Sequence, residues 1–430
     1  MRTRAKVYRD PVHDMISFRD EPLLGELVST LLDCPEVQRL RFIRQLGLAS
    51  LAYPGAEHSR FAHSLGVAHV AHRMCQRLRG MGPEQTRCVV AAALLHDVGH
   101  APFSHVFERV FHFHHETWSA RMVLESSTTV HRVLAAVDEE LPAQVVGRLR
   151  GDDGHFSREI VSSQLDADRC DYLLRDSLMT GIAVGRFDLE RILCMLSHDE
   201  AGLLVDERAW EAVEGYLLAR YHMYRLVYFH HAVRAAEAML VHLFGRAKRL
   251  MEAGDCQLSV QGALGCLMRG DELDVAGWSE LRDPEVWVAI ASWRAHPDRV
   301  LARVASALLD RRLWKPMSWE SAGLSPEGME ALEHHVRDQL QGEERDLFVV
   351  DVARDTPYRP YVPGAASSVR GIRLRTREGG VVRIEDRSPI VRTLAESAGL
   401  QRRWFVDPLL VPKVRRVVGE ALGEGGGAGR

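Results

Sequence analysis

Residues 94–105 have the sequence LLHDVGHAPFSH, and this stretch decides the fold. An apolar run ends in the adjacent pair His96 and Asp97, and two more histidines, His100 and His105, follow closely. The packing of a buried helix does not require so many imidazoles beside a carboxylate, but a metal site uses these side chains as ligands. The stretch therefore predicts a helix that ends at a metal-binding site.

The composition is that of an ordinary soluble protein, with 46% hydrophobic and 27% charged residues among 430. A net charge of −4 gives no general attraction to nucleic acid or to membranes. The charged start, Met1–Lys6, has no apolar core behind it, and the longest apolar run, Cys88–Leu95, is too short to span a bilayer. Seven scattered cysteines favour reduced thiols, so we expect a cytoplasmic location.

Hydrophobic periodicity predicts a mainly α fold with a small C-terminal α/β region. Apolar residues recur at helical spacing over 22–250, with one helix expected over 157–177, and again over 258–341. Strand patterns follow at 347–352, 371–375 and 381–384. The predicted parts are an N-terminal segment 1–45, a helical core 46–250, a helical extension 251–342, a mixed α/β region 343–415 and a flexible Gly-rich tail 416–430.

Further metal ligands are available elsewhere in the helical core. His63 falls early on a predicted helix, and the segment 163–176 holds four aspartates beside apolar neighbours, more than solvation of a helix face explains. Two imidazoles with two carboxylates make a nitrogen and oxygen set that suits Fe, Mn, Co, Ni or Zn, with Mg as a candidate second ion. Such a set leaves positions open for water and substrate, as in catalytic sites.

These motifs resemble those of the HD-domain superfamily of metal phosphohydrolases, and in particular the deoxynucleoside triphosphate (dNTP) triphosphohydrolases. The resemblance extends from about Lys6 to Lys315 and is dense over 33–47, 58–67, 96–105 and 164–176. The first and last of these motifs favour the triphosphohydrolase branch. The resemblance implies an HD-domain helical core as the catalytic domain, and hydrolysis of a dNTP to deoxynucleoside and inorganic triphosphate.

The resemblance also implies a role for each matching residue. The implied metal ligands are His63, His96, Asp97 and Asp168. The implied catalytic residues are His105 as proton donor, Glu108 to orient it, and His115 as a second phosphate-facing histidine. The implied substrate contacts are Gln45, Leu46, Arg60, His100, Arg169, Tyr172, Asp176, Arg220 and Tyr228. Among them, Gln45 and Asp176 would bind the 3′-hydroxyl, and the two tyrosines would pack against the sugar.

This chain departs from the family pattern at three places. Glu108 stands where the family usually has aspartate, His231 where relatives often have lysine, and Asp14 where glycine is usual. Both Glu and Asp can orient an imidazole, but the longer arm of Glu108 leaves its role open. His231 implies a weakened or changed phosphate contact.

Regulation by nucleotides is a further implication of the resemblance. In the family, guanine nucleotides bind between subunits and assemble an active tetramer, so a guanine-nucleotide activator and a homotetramer are expected here. An aspartate suits the guanine edge because it accepts hydrogen bonds from N1–H and the 2-amino group. The matching positions are Lys6, Val7, Asp33, Gln38, Arg41, Arg311 and Lys315.

Two other functions stay open on the sequence. One is a different HD-domain phosphohydrolase, such as a nucleotidase or a phosphodiesterase, against which Gln45, Leu46 and the 168–176 motif argue. The other is an inactive nucleotide-sensing module, against which the intact set of metal ligands argues. Nucleic-acid binding is not indicated, because no basic stripe interleaved with aromatic residues is present.

Overall fold

The computed structural model describes residues 6–151, 155–255, 258, 260–319, 323–355, 371–396 and 399–423. The α-helices, α1 to α21 in chain order, are Pro22–Leu32, Pro35–Gln38, Arg60–Arg77, Pro83–Leu95, His105–Phe111, His115–Leu124, Thr129–Ala135, Leu141–Arg150, Arg158–Val161, Ala167–Thr180, Leu189–Cys194, Trp210–Met223, His231–Glu252, Gly262–Arg269, Val275–Ser279, Asp283–Ser292, Arg299–Leu309, Pro326–Gln339, Ile384–Arg387, Pro389–Glu396 and Val411–Ala421. The strands, β1 to β9, are Val7–Asp10, Asp14–Ser17, Leu196–Asp199, Gly202–Asp206, Lys315–Met317, Phe348–Asp355, Arg373–Arg375, Val381–Arg383 and Gly399–Val406. This content confirms the mainly α prediction with small sheets.

The chain divides into two compact units, each built from three stretches. The first unit is Met1–Tyr228, Gln261–Val286 and Thr356–Ala398, and the second is Phe229–Val260, Trp287–Asp355 and Gly399–Arg430. The units therefore interleave in sequence, unlike the five consecutive parts expected from composition and periodicity. Local patterns could not predict this, because which stretches pack together depends on contacts between distant residues.

Helices α3, α4 and α10 form the part of the first unit that carries the site. The side chain of Ser59 caps α3 by accepting a hydrogen bond from the backbone N–H of Ala62, and proline begins α4. Residues 88–95 of α4 are all buried. Helix α10 approaches α3 at Gly66, where a Cβ would lie only 1.9 Å from Oδ1 of Asp171. Only glycine allows this approach, which brings the aspartates of α10 close to His63.

Two parts of the first unit differ from the sequence prediction. The helix expected over 157–177 is two helices, α9 and α10, because Asp166 caps α10 through the backbone N–H of Arg169 at 2.8 Å. The pair β3–β4 was not predicted; β4 pairs in parallel with β7, and β7 pairs with β8 through the hairpin that the sequence did predict. The N-terminal segment begins with the antiparallel hairpin β1–β2.

The second unit contains an antiparallel sheet of order β5-β9-β6. The prediction of a flexible tail over 416–430 is wrong for residues 416–421, which lie in α21. This helix forms because Val414, Val417 and Val418 bury one face. Residues 424–430 lie outside the described residues.

Among the described residues, no helix combines the length and the apolar character that crossing a membrane requires. The cytoplasmic location stays a prediction.

Candidate active site

The four residues predicted as metal ligands converge in the first unit. His63 comes from α3, His96 and Asp97 directly follow α4, and Asp168 is in the first turn of α10. Nε2 of His63 lies 3.1 Å from Oδ1 of Asp168 and 3.8 Å from Oδ2 of Asp97. Nε2 of His96 lies 3.3 Å from Oδ1 of Asp97 and 3.6 Å from Oδ1 of Asp168. His63, His96 and Asp168, which span more than a hundred positions in sequence, each offer a ligand atom within 4.8 Å of the others, whereas Asp97 lies beside this group and is bound by Arg60.

The chemistry of this cluster fits a divalent cation. Nε2 of His63 and Nε2 of His96 are both buried, and the carboxylate oxygens near them do not have the angles of a hydrogen bond, as expected of atoms that bind a metal. Burial alone would lower the pKa of His63, yet the carboxylates of Asp168 and Asp171 raise it to about 10. The cluster therefore has an excess of negative charge that favours a cation.

Asp171 supports the cluster from behind, and sequence reasoning did not assign it a role. Its Oδ2 lies 2.8 Å from Nδ1 of His63, and its Oδ1 lies 2.7 Å from Nε2 of His13 on the N-terminal hairpin. Arg175 donates to the same carboxylate at 2.8 and 2.9 Å and to Asp10 at 2.8 and 3.2 Å. Burial opposes ionisation of Asp171, but Arg175 and the two histidines hold its pKa well below the usual value. A carboxylate on the second nitrogen of a ligating histidine fixes the tautomer and orientation of the ring.

The predicted catalytic residues form a group around one carboxylate. Oε2 of Glu108 lies 2.8 Å from Nδ1 of His105, and Oε1 accepts from the backbone N–H of His115 at 3.0 Å and lies 2.5 Å from its Nδ1. Burial raises the pKa of Glu108, but the hydrogen bonds with His105 and His115 bring it below its usual value. The longer arm of glutamate therefore reaches both imidazoles. The ring of His105 is 69% exposed, so its Nε2 side is open to a substrate.

His100 and Arg60, predicted to face phosphate, lie against the metal ligands. The ring of His100 stacks on His115 at 3.7 Å between centroids, and its Nε2 lies 3.2 Å from Oδ1 of Asp97. Arg60 is bound to Asp97 and also donates to Oγ of Ser104 at 2.9 and 2.7 Å. Burial and the charge of Arg60 hold the pKa of His100 well below its usual value, so His100 is neutral. Two further groups of three residues have ligand atoms within 4.8 Å of one another. One group is Asp97, His100 and His115, and the other is His105, Glu108 and His115.

The other two predicted phosphate contacts are engaged by neighbouring side chains. Arg169 is bound to Asp166, and Arg220 donates to Oε1 of Gln164 at 3.0 Å. Arg169 and Gln164 also line a cavity beside α10. A direct contact between either arginine and a substrate phosphate stays a prediction.

The predicted sugar-facing residues are held around Asp176. This buried carboxylate accepts from Oη of Tyr228 at 2.8 Å and lies 2.8 Å from Nε2 of His58, a residue that sequence reasoning left without a role. The ring of Tyr172 lies 6.2 Å from that of Tyr228 and 6.5 Å from that of His63. Oε1 of Gln45 is buried without a hydrogen-bond partner. Leu46 follows it in the same loop, where its carbonyl accepts from Ala49.

Three residues absent from the sequence prediction fix the loop that carries His100 and His105. The buried Arg39 donates to the carbonyl groups of Val98 and His100 at 2.9 and 2.7 Å. Trp278 donates to Gly99 at 3.0 Å. Asp283 accepts from the backbone N–H groups of Arg44 at 3.0 Å and Phe103 at 3.1 Å, and so ties the loop before Gln45 to the loop before His105. No sequence pattern marks these residues, because each acts through backbone groups far away along the chain.

The residues of the predicted regulatory site are partly brought together. Nζ of Lys6 lies 2.5 Å from Asp33, next to Val7 at the start of β1. Gln38 donates to the carbonyl of Leu32 at 2.6 Å, and Arg41 donates to Gln38 at 2.8 Å. The two remaining positions, Arg311 and Lys315, belong to the second unit. Their part in the same site stays a prediction.

Comparison with known proteins gives the same class as the fold and the site. Residues 60–176 match the model of the HD domain, and residues 187–260 match that of the HD associated region. A crystal structure of a phosphohydrolase from Bacteroides thetaiotaomicron superposes with a TM-score of 0.77 at 26% identity, covering 94% of this chain and 99% of that one. The chain therefore belongs to the HD-domain superfamily of phosphohydrolases.

Two relatives illustrate what the chain is similar to in sequence. The uncharacterized protein YwfO of Bacillus subtilis is 35% identical over 398 residues, which cover 91% of this chain and 89% of YwfO. The deoxynucleoside triphosphate triphosphohydrolase SAMHD1 of Gallus gallus is 31% identical over 305 residues, which cover 61% of this chain and 47% of SAMHD1. The chain thus spans about half the length of that enzyme.

Proposed function

We propose that this protein is a metal-dependent dNTP triphosphohydrolase that cleaves a dNTP to deoxynucleoside and inorganic triphosphate. The observation that carries the proposal is the pairing of the His–Asp cluster with Asp176 on one helix. Asp168 and Asp176 are eight residues apart on α10, a rise of about 12 Å. If the phosphates bind near Asp168 and the sugar near Asp176, the nucleotide lies along this helix.

A divalent metal held by His63, His96, Asp97 and Asp168 would supply a water of lowered pKa and polarise the phosphate oxygens. Water attack on the α-phosphorus breaks its bond to the 5′-oxygen, which must then gain a proton. We assign this proton to His105, because Glu108 contacts its Nδ1 and the exposed ring leaves Nε2 open. The same carboxylate orients His115, so both imidazoles are fixed before the substrate arrives.

Positive charge for the triphosphate would come from Arg60 beside the metal ligands and from Arg169 and Arg220 beyond them. His100 is neutral and can donate or accept a hydrogen bond without repelling the arginines. These groups would stabilise the charge that accumulates on the leaving triphosphate.

Discrimination between deoxyribose and ribose would rest on the residues around Asp176. Its carboxylate is already held by Tyr228 and His58, and it has further lone pairs for a 3′-hydroxyl. Tyr172 and Tyr228 stand close together and would leave no room for a 2′-hydroxyl.

We further propose that a guanine nucleotide activates the enzyme at a site that includes Lys6 and Asp33, and that the active form is a homotetramer. The support is the resemblance of Lys6, Asp33, Gln38 and Arg41 to the regulatory positions of the triphosphohydrolase family and the contact between Lys6 and Asp33. Binding of nucleotide would have to break this contact and offer Asp33 to the guanine edge.

The test is product chromatography after incubation with each dNTP and NTP, in the presence of Mn²⁺ or Fe²⁺ and with or without GTP. Deoxynucleoside together with inorganic triphosphate supports the proposal. Nucleoside monophosphate as the product would identify a different HD-domain phosphohydrolase. Intact substrates in every mixture, with metal bound, would favour a nucleotide-sensing module.

A further inference from the structure

A cavity in the first unit lies beside α10 and has several hydrogen-bond donors in its walls. Its walls include four guanidinium groups and two hydroxyl groups, from Arg150, Arg158, Arg169, Arg373, Ser162 and Ser163. A volume of about 100 Å³ is well below the roughly 300–1,000 Å³ of sites for larger organic ligands. The space suits a group of the size of phosphate.

The charges that face the cavity leave a positive excess. Arg373 is paired with Asp199 at 2.9 and 3.1 Å, and Arg169 is bound to Asp166. Glu159 is the one carboxylate among the described lining residues, and its Oε2 already accepts from the backbone N–H of Leu203 at 2.7 Å. Arg150 and Arg158 therefore carry two positive charges against the single charge of Glu159.

One of the lining arginines has a buried donor atom without a partner. Nε of Arg169 is shielded from solvent and makes no hydrogen bond, although the guanidinium is fixed by Asp166. A shielded guanidinium N–H that lacks an acceptor is costly unless a ligand supplies one. Arginine has only donors, so a ligand that meets this N–H is an acceptor, and the positive excess favours an anion.

We propose that this cavity binds a phosphate-type oxyanion. The occupant is either free inorganic phosphate or the terminal phosphate of a bound nucleotide. A terminal nucleotide phosphate as the occupant rests on the proposed function. Two observations support it: Arg169 directly follows the predicted metal ligand Asp168, and Gln164, which lines the cavity, accepts a hydrogen bond from Arg220 at 3.0 Å.

The test measures inorganic phosphate binding to the full chain by isothermal titration calorimetry, after chelation of metal so that the His–Asp cluster does not contribute. The double variant Arg150→Gln with Arg158→Gln removes the two charges in excess and should weaken binding about tenfold or more. Arg186→Gln, which removes an exposed charge away from the cavity, is the matched control and should bind as the wild type. Thermal melting verifies that each variant is folded.

Steady-state kinetics then separates the two sources of phosphate. A higher KM for dNTP with an unchanged kcat in the double variant identifies the terminal phosphate of the nucleotide. An unchanged KM with lost phosphate binding identifies free phosphate. Equal phosphate affinity in wild type, double variant and control, or no measurable binding together with an unchanged KM, overturns the proposal. The calorimetric result stands even if no dNTP is hydrolysed, so failure of the proposed function is seen separately.

Discussion

Replacement of Asp171 with asparagine tests whether the metal site depends on support from behind His63. The wild-type carboxylate is fully buried and is shared by His63, His13 and Arg175. Asparagine keeps the shape of the side chain but loses its charge and one of its acceptor oxygens. His63 then no longer has a carboxylate that fixes its ring and raises its basicity, so we expect weaker metal binding.

The size of the effect follows from the contacts that remain. Loss of the carboxylate partner of a ligating histidine typically weakens metal binding by about 10- to 100-fold, or about 1.4–2.7 kcal/mol. Arg175 keeps Asp10 as a partner at 2.8 and 3.2 Å. The loss of folding free energy should therefore stay below the roughly 3–5 kcal/mol of a fully broken buried ion pair.

The assay is competition for Mn²⁺ or Zn²⁺ with a chromogenic chelator, with thermal melting of the metal-free proteins alongside. His13→Gln is the matched control, because it removes another partner of the same carboxylate and leaves the contact with His63 intact. We expect the control to bind metal within about threefold of the wild type. The reasoning is refuted if folded Asp171→Asn binds metal as tightly as the wild type, or if the control loses as much affinity.

Three further changes test other parts of the site. Alanine at both His96 and Asp97 should abolish metal binding and dNTP hydrolysis, measured by metal content and product chromatography; retained turnover would contradict the mechanism. Glu108→Gln should lower kcat by up to roughly 10²- to 10⁴-fold with metal content unchanged. Glu108→Asp still offers two acceptor oxygens and should recover part of the loss. Equal kcat in the wild type and both variants would exclude a role of Glu108 in proton transfer. Burial raises the pKa of Asp283 from 3.8 to about 6, so the folded chain keeps a proton that the unfolded chain releases. The contribution of the protonated carboxyl to stability is full below the unfolded pKa and falls by about 3 kcal/mol as the pH rises through 6. Urea unfolding of the wild type and Asp283→Asn should show their difference in unfolding free energy shift by roughly 2–2.5 kcal/mol in favour of the variant between pH 4 and pH 7. A constant difference would argue against a buried ionisable group.

The sequence was informative where chemistry is concentrated in short motifs. His96, Asp97, His100 and His105 are close along the chain, and no packing requirement explains them. Hydrophobic periodicity gave the helices of the first unit because each buries an apolar face. The hairpin before Val381 was predictable because glycines mark its turn.

The sequence was uninformative where a residue acts through the backbone of a distant segment. Asp171 was one of four aspartates in the segment 163–176, and only the close approach at Gly66 and the contact with Nδ1 of His63 show that it faces His63. Arg169 matched a phosphate position, yet its side chain is bound to Asp166. The direction of a side chain on a helix depends on its capping and neighbours, which a motif match does not include.

The loop between His100 and His105 shows why these unpredicted residues matter for function. Phe103 and Ser104 have φ angles of 50° and 54°, a region that costs residues other than glycine about 1–3 kcal/mol each. Such a loop would relax unless other contacts held it, and the hydrogen bonds from Arg39 and Trp278 and to Asp283 do so. Burial of Arg39 lowers its guanidinium pKa to about 9, so keeping this charged group at the loop also costs free energy. The strain directs Oγ of Ser104 to Arg60 and begins α5 at His105, so the position of the proposed proton donor is determined by residues far outside the motif that contains it.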